Sequence, residues 1–137
     1  MKTSIHISAI ALLMFTAAAF VSGCGDDPSK GIGPVKEVKL DATVNEEMSN
    51  KGKAIFEQKC VYCHKWNEKL VGPALSGVTK RRKPEWIMNM ILNPVEMTQK
   101  NPEAQALYNQ LLVQMTFQDV TQDDARSILE YFRSMDK

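Results

Sequence analysis

Histidine and cysteine are scarce in this chain: 137 residues hold two of the first and three of the second. Each shortage excludes some chemistry. His6 sits in an apolar N-terminal stretch, which leaves His64 as the one histidine of the remainder and rules out a site built on paired imidazoles. Charge of one sign is also missing, with 17 basic residues against 16 acidic ones. That balance argues against a nucleic-acid-binding domain, which carries a basic excess along one face. The one basic run, Lys80-Arg81-Arg82-Lys83, reads as a solvated face. Two tryptophans, three tyrosines and five phenylalanines are few for filling a small interior, so a bound apolar group would help complete the core. No stretch alternates for long like a strand, and there is no internal repeat or low-complexity segment. The fold class is therefore read as all-α, in one compact domain.

The first residues have the grammar of a targeting segment: Lys2, an apolar run from about Ile5 to Phe20, then small residues. Val21-Ser22-Gly23-Cys24 resembles the lipobox of bacterial lipoproteins. That resemblance implies a signal peptide over 1–23 and lipidation of Cys24 as the new N-terminus, so that the protein is exported and held to a cell-envelope membrane, facing the periplasm. Cleavage after Ala17-Ala18-Ala19 would instead release a soluble periplasmic protein, and an uncleaved anchor helix is the third reading. Residues 24–48, with Gly25, Pro28, Gly31, Gly33 and Pro34, read as a flexible linker able to lift a domain off the membrane. Val35, Val38 and Leu40 offer the alternative of an extended strap docked on the domain.

From residue 49 to 137 the pattern is helical. Ser49 is the expected cap of a first helix running into Cys60, with Ile55 and Phe56 on its apolar face and Gly52 one turn earlier. Lys65 to Lys80 reads as loop, with Gly72-Pro73 and Gly77. Pro84 opens a helix with Trp86, Ile87, Met90 and Ile91 on its buried stripe, ending by Asn93-Pro94. Asn101-Pro102-Glu103 starts another, and Thr121 with Asp124 caps the last, whose buried stripe is Ala125, Ile128, Leu129 and Phe132.

Cys60-Val61-Tyr62-Cys63-His64 is the pattern that carries chemistry. It matches C-x-x-C-H, in which two thiols can each add to one vinyl group of a haem while the adjacent histidine reaches the iron. Zinc is the weaker reading, because with Cys24 lipidated only three thiolate or imidazole ligands remain where a structural site wants four. A thioredoxin-like dithiol is also disfavoured, since the pair follows a helix and no βαβ unit exists. With His64 below the iron, a methionine is the expected distal ligand. Met48, Met88, Met90, Met97, Met115 and Met135 are the candidates. Met115, in the connection before the last helix, is preferred, and Met97, in an expected loop after Pro94, is the alternative.

Taken together, Gly52-Lys53-Ala54-Ile55-Phe56, the C-x-x-C-H motif, Leu70-Val71-Gly72-Pro73-Ala74-Leu75 and Met115 before the last helix make Ser49–Ser134 resemble class I cytochrome c. The resemblance implies four or so helices around one covalent haem c on Cys60 and Cys63, with His64 as proximal and Met115 as distal iron ligand. It implies further that the Pro73 carbonyl holds the second ring nitrogen of His64, that Trp86 lines the haem edge, and that Gly52 lets the first helix cross the last against Tyr131 or Phe132. The implied activity is one-electron transfer in a respiratory or related chain, between a redox donor and a redox acceptor, and not catalysis. A haem sensor or peroxidase-like catalyst with an open distal site is the rival. Lys59, Lys65 and Lys69, flanking the motif, are the expected steering charges for redox partners.

Overall fold

The computed structural model describes residues 27–137, and Cys24 and the targeting segment lie outside them. Six α-helices follow a single 3-10 turn at Pro28–Lys30: α1 Glu46–Lys59, α2 Val78–Arg81, α3 Pro84–Leu92, α4 Pro94–Lys100, α5 Pro102–Leu111 and α6 Gln122–Met135. No strand occurs among the described residues.

The terminal helices form the main packing unit. Helix α1 starts three residues before the Ser49 expected from sequence, because Asn45 accepts the Met48 N–H at 2.9 Å and Glu46 and Glu47 occupy the first turn. Helix α6 opens on the reciprocal Thr121–Asp124 capping box and buries Ala125, Ile128, Leu129 and Phe132, as its periodicity predicts. The two helices cross at Gly52, where the contact is with the backbone of Ser127 and Ile128. The resemblance had pointed to Tyr131 or Phe132 there. Those rings instead pack on Phe56 one turn later, at centroid distances of 5.5 and 5.7 Å.

Of the two readings of the stretch before α1, the docked strap is the one found from Asp27 onward: the chain is fastened across α3 and is not a free linker. Val35 is 2% exposed, and its N–H and C=O are both held by the Asn89 carboxamide at 3.0 and 2.9 Å. Asn89 also reaches the Lys30 carbonyl, Glu85 accepts the Val38 N–H, and Asn101 donates to the Pro28 carbonyl. The reason is complementarity: an extended chain exposes unpaired amides, and α3 presents Glu85 and Asn89 one turn apart on one face to receive them. This cover explains why Met88, on that same face, is 2% exposed, while Met90, expected on the buried stripe, is only half-buried.

Two segments expected to be loop contain helix: α2 begins inside 65–80 and ends at Arg81, and α4 begins at Pro94. Helix α4 removes Met97 as an iron ligand. Its side chain is wholly buried under the strap, with Gly31 packed on the thioether and the Ile32 N–H donating to the sulfur at 3.0 Å.

Glu130 ties α6 to the strap's end. It is fully buried, and burial alone would raise its carboxyl, but hydrogen bonds from Arg126, Arg133 and the Asn45 N–H outweigh that and hold it below the ordinary value of 4.5. Its ionised form is thus favoured by folding. The resulting stability is complete above the unfolded glutamate value and is lost as pH falls through the depressed folded value. Denaturant midpoints measured at decreasing pH should therefore fall less steeply for Glu130→Gln than for wild type below about pH 5. At neutral pH the same variant should be less stable by about 3 kcal/mol, since two half-buried guanidinium groups lose their counter-charge. Parallel acid profiles for the two proteins would remove Glu130 as the cause.

Candidate functional site

Helix α1 ends where the chemistry begins. Cys60 closes it by donating its N–H to the Phe56 carbonyl at 2.9 Å, and the chain then turns so tightly that Cys63 and His64 both donate to the Cys60 carbonyl, at 3.1 and 2.9 Å. That turn sets two thiols and one imidazole along one wall of a largely apolar cavity. Burial pushes the Cys60 thiol up to about 11, against the opposing charge of Lys59, so the group is a neutral thiol at ordinary pH.

His64 is oriented from its far side. Its Nδ1 lies 3.1 Å from the Pro73 carbonyl oxygen, an acceptor only, so Nδ1 carries the proton and Nε2 keeps its lone pair. The Pro73 position follows from the turn before it, where Gly72 donates to the Cys63 carbonyl at 2.8 Å and Leu70 donates to the Gly72 carbonyl at 3.1 Å. Gly72 sits flat against the imidazole, with no room for a β-carbon. Burial also lowers the His64 pKa, opposed by the Pro73 hydrogen bond, which favours the neutral ring that a metal requires.

The other walls come from all six helices and the turn at 71–75. Phe56, Leu75, Ile91, Ala104, Ile128 and Phe132 supply apolar surface, and Met115 reaches the cavity from the segment joining α5 to α6. Trp86 lines it too and is 4% exposed. Its indole N–H donates to Asn101 at 3.1 Å, and the Arg82 guanidinium lies 4.8 Å from the ring centroid. Cys60, Cys63, His64, Pro73, Trp86 and Met115 therefore line one cavity. Of the other candidate methionines, Met90 lines it from α3, and Met48, Met88, Met97 and Met135 do not. Apolar walls, two thiols at fixed spacing, an imidazole with Nε2 free and the thioethers of Met90 and Met115 form a donor set that fits a covalently attached haem.

The sequence reading missed two polar arrangements at this cavity. Thr98 and Gln114 line it and bond to each other at 2.8 Å. Lys59, expected to steer partners, instead donates to the Gln118 carbonyl at 2.9 Å, and Lys65 pairs with Glu68 at 2.7 Å. The basic run at 80–83 is similarly engaged, since Arg81 bonds to Ser76, Arg82 to Glu103 and Lys83 to Asp27.

Comparison with known proteins agrees with this geometry: residues 49–136 match the sequence model of the family described as Cytochrome c. The chain belongs to the cytochrome c family. A cytochrome c from Rhodothermus marinus is similar in structure, with 39% identity, a TM-score of 0.76, and coverage of 80% of this chain and 97% of that one. That share is larger than residues 49–136 make up, so the likeness extends into the strap region. An engineered form of the same Rhodothermus protein, bound to a carbene intermediate, matches at 38% identity with a TM-score of 0.73, over the same shares. A "Cytochrome c-553-like" protein of Synechocystis sp. is 29% identical over 105 residues, 73% of this chain and 91% of the relative. Cytochromes c of this kind hold one covalently attached haem c and transfer electrons between redox partners, and they are not enzymes.

Proposed function

We propose that this cytochrome is an exported one-electron carrier with His64 and Met115 as the axial ligands of its haem, working in a respiratory or related chain. The observation that carries this reading is the meeting of Cys60, Cys63, a tautomer-locked His64 and Met115 at one apolar cavity. The haem supplies a metal that takes up and releases single electrons. Cys60 and Cys63 hold it against dissociation, and His64 presents Nε2 while Pro73 prevents the ring from turning. The thioether of Met115 is a soft donor that favours the reduced metal and raises its potential. Phe56, Leu75 and Ile91 keep water from the pocket, which limits the solvent rearrangement that accompanies a change of charge.

We also propose that Cys24 is the lipidated N-terminus. The strap makes that anchor short. Only Gly25 and Asp26 separate Cys24 from Asp27, whose carboxylate bonds to Lys83 at 2.9 Å, and such a span covers at most about 10 Å. The domain is then held close against the bilayer instead of being lifted from it.

Replacement of Met115 by Ala tests the ligand set. The oxidised wild-type protein should show the weak far-red band of sulfur-ligated ferric haem, and the variant should lose it while its reduced form gains carbon monoxide binding. Retention of the band would pass the role to another methionine; an open-site sensor or catalyst would bind carbon monoxide before any substitution. Mass spectrometry of protein matured in the cell envelope reads the covalent proposals together: one haem on the peptide containing Cys60 and Cys63, and acyl chains on Cys24. Unmodified Cys24 would remove the anchor and leave the haem site intact.

A further inference from the structure

The segment joining α5 to α6 has no regular structure from Leu112 to Thr121, yet its middle must hold a side chain at the haem cavity. Two residues with left-handed backbone bracket it, Leu112 at φ 54° and Asp119 at φ 52°. Neither is glycine, and Leu112 is the residue less suited to that region, so the path of this segment is imposed by contacts outside it. Helix α5 ends at Leu111, and between Leu112 and the cap of α6 only a few bonds supply such contacts.

One set lies just before Met115. The Gln114 carboxamide donates to the Met115 carbonyl at 2.8 Å and accepts from the Thr98 hydroxyl of α4 at 2.8 Å, and Thr98 is buried. The other lies just after it, where the Lys59 ammonium donates to the carbonyl oxygens of Gln118 at 2.9 Å and Asp119 at 3.4 Å. Lys59 is the last residue of α1, next to Cys60. Its hydrogen bonds therefore run from the base of the haem-attachment turn to the strand of chain that carries Met115.

We infer that Lys59, with Gln114 and Thr98 at the other end, is a positioning residue that pins the Met115 segment so that its thioether faces the cavity. The inference rests on the reading of Met115 as distal ligand and adds to it the device that keeps the ligand in place. A cation on carbonyl oxygens is a strong form of hydrogen bond, and Lys59 is half-buried, so the link is only partly screened by water. An ammonium engaged in this way is not a free steering charge. Removal of either pin leaves the backbone of 115–118 free to swing, and an open segment exposes the distal side.

The test uses the holoprotein and two spectroscopic signals, the far-red band of the oxidised form and carbon monoxide association with the reduced form. Lys59→Met keeps the apolar stem and removes the ammonium. It should lose the band at a lower temperature than wild type, well before global unfolding, and bind carbon monoxide about tenfold faster, in proportion to the rise in open segment. Lys59→Arg, which keeps a cationic donor, should restore both signals. Gln114→Leu attacks the other pin without touching α1 and should move the same signals, so failure of one variant to mature leaves the test intact. A band present in wild type and unmoved in Lys59→Met and Gln114→Leu, with unchanged carbon monoxide kinetics, overturns the pins. Absence of the band in wild type overturns the Met115 reading beneath them.

Discussion

Gly52→Ala should destabilise the holoprotein by about 2–3 kcal/mol, measured as a shift in its denaturant unfolding midpoint. The sign is the informative part. At an exposed position inside a helix, the same change stabilises by about 1 kcal/mol, because alanine is the better helix former. Here the added β-carbon would fall inside van der Waals contact with the Ser127 carbonyl and the Ile128 nitrogen. Both neighbours are backbone in the middle of α6, so neither can rotate away as a side chain would. Relief requires α1 and α6 to separate. That movement would loosen Phe56 from Tyr131 and Phe132 and open the cavity wall that Phe56 and Phe132 help to form. A neutral or stabilising Gly52→Ala would mean that the helices have slack at their crossing.

The second large effect should come from Gly72→Ala, and it should appear at the site before it appears in the fold. A β-carbon there would lie 2.8 Å from Nδ1 and 2.9 Å from Nε2 of His64, over the ring's face. The imidazole must then tilt or the 70–75 turn must retreat, and either movement breaks the bond from Nδ1 to the Pro73 carbonyl. Losing that bond from a half-buried ring costs about 1 kcal/mol. The ring also loses its fixed orientation, so the ligand field of the haem iron that we propose it binds should weaken. The proton resonance of His64 Nδ1–H should shift or vanish, and the visible spectrum of the oxidised protein should change. An unaltered resonance together with an unaltered spectrum would show that the turn absorbs the extra methyl group.

What could be read from sequence was what is decided locally. Pro84, Asn101-Pro102 and Thr121 with Asp124 fix the starts of α3, α5 and α6 through caps and proline geometry that need no distant partner. The attachment motif is equally local, because its function lies in the spacing of Cys60, Cys63 and His64. The start of α1 was misplaced since Ser49 and Asn45 are both acceptable caps. The choice between them is made by tertiary bonds, from the Asn45 N–H to Glu130 and from Arg133 to the Asp41 carbonyl. Helix α4 is too short to show periodicity, and its stability comes from burying Met97 and Thr98. The strap was the hardest part to foresee. Its partners Glu85 and Asn89 look in sequence like ordinary polar residues of a helix and Asn101 like a cap alone, and only the folded molecule shows that they receive the extended chain that Val35, Val38 and Leu40 allowed.

The same strap sets an order of assembly. Its bonds span 47 residues between Val38 and Glu85 and 73 between Pro28 and Asn101, so the stretch synthesised early can close only after the middle of the chain exists. Closing loops of that length adds non-local contacts, which slow folding more than they alter final stability. Cys60, Cys63 and His64 lie inside the loop being closed. Until the N-terminal stretch has settled over α3, the attachment motif belongs to a chain whose ends are not yet joined, and access to the thiols is widest in that interval.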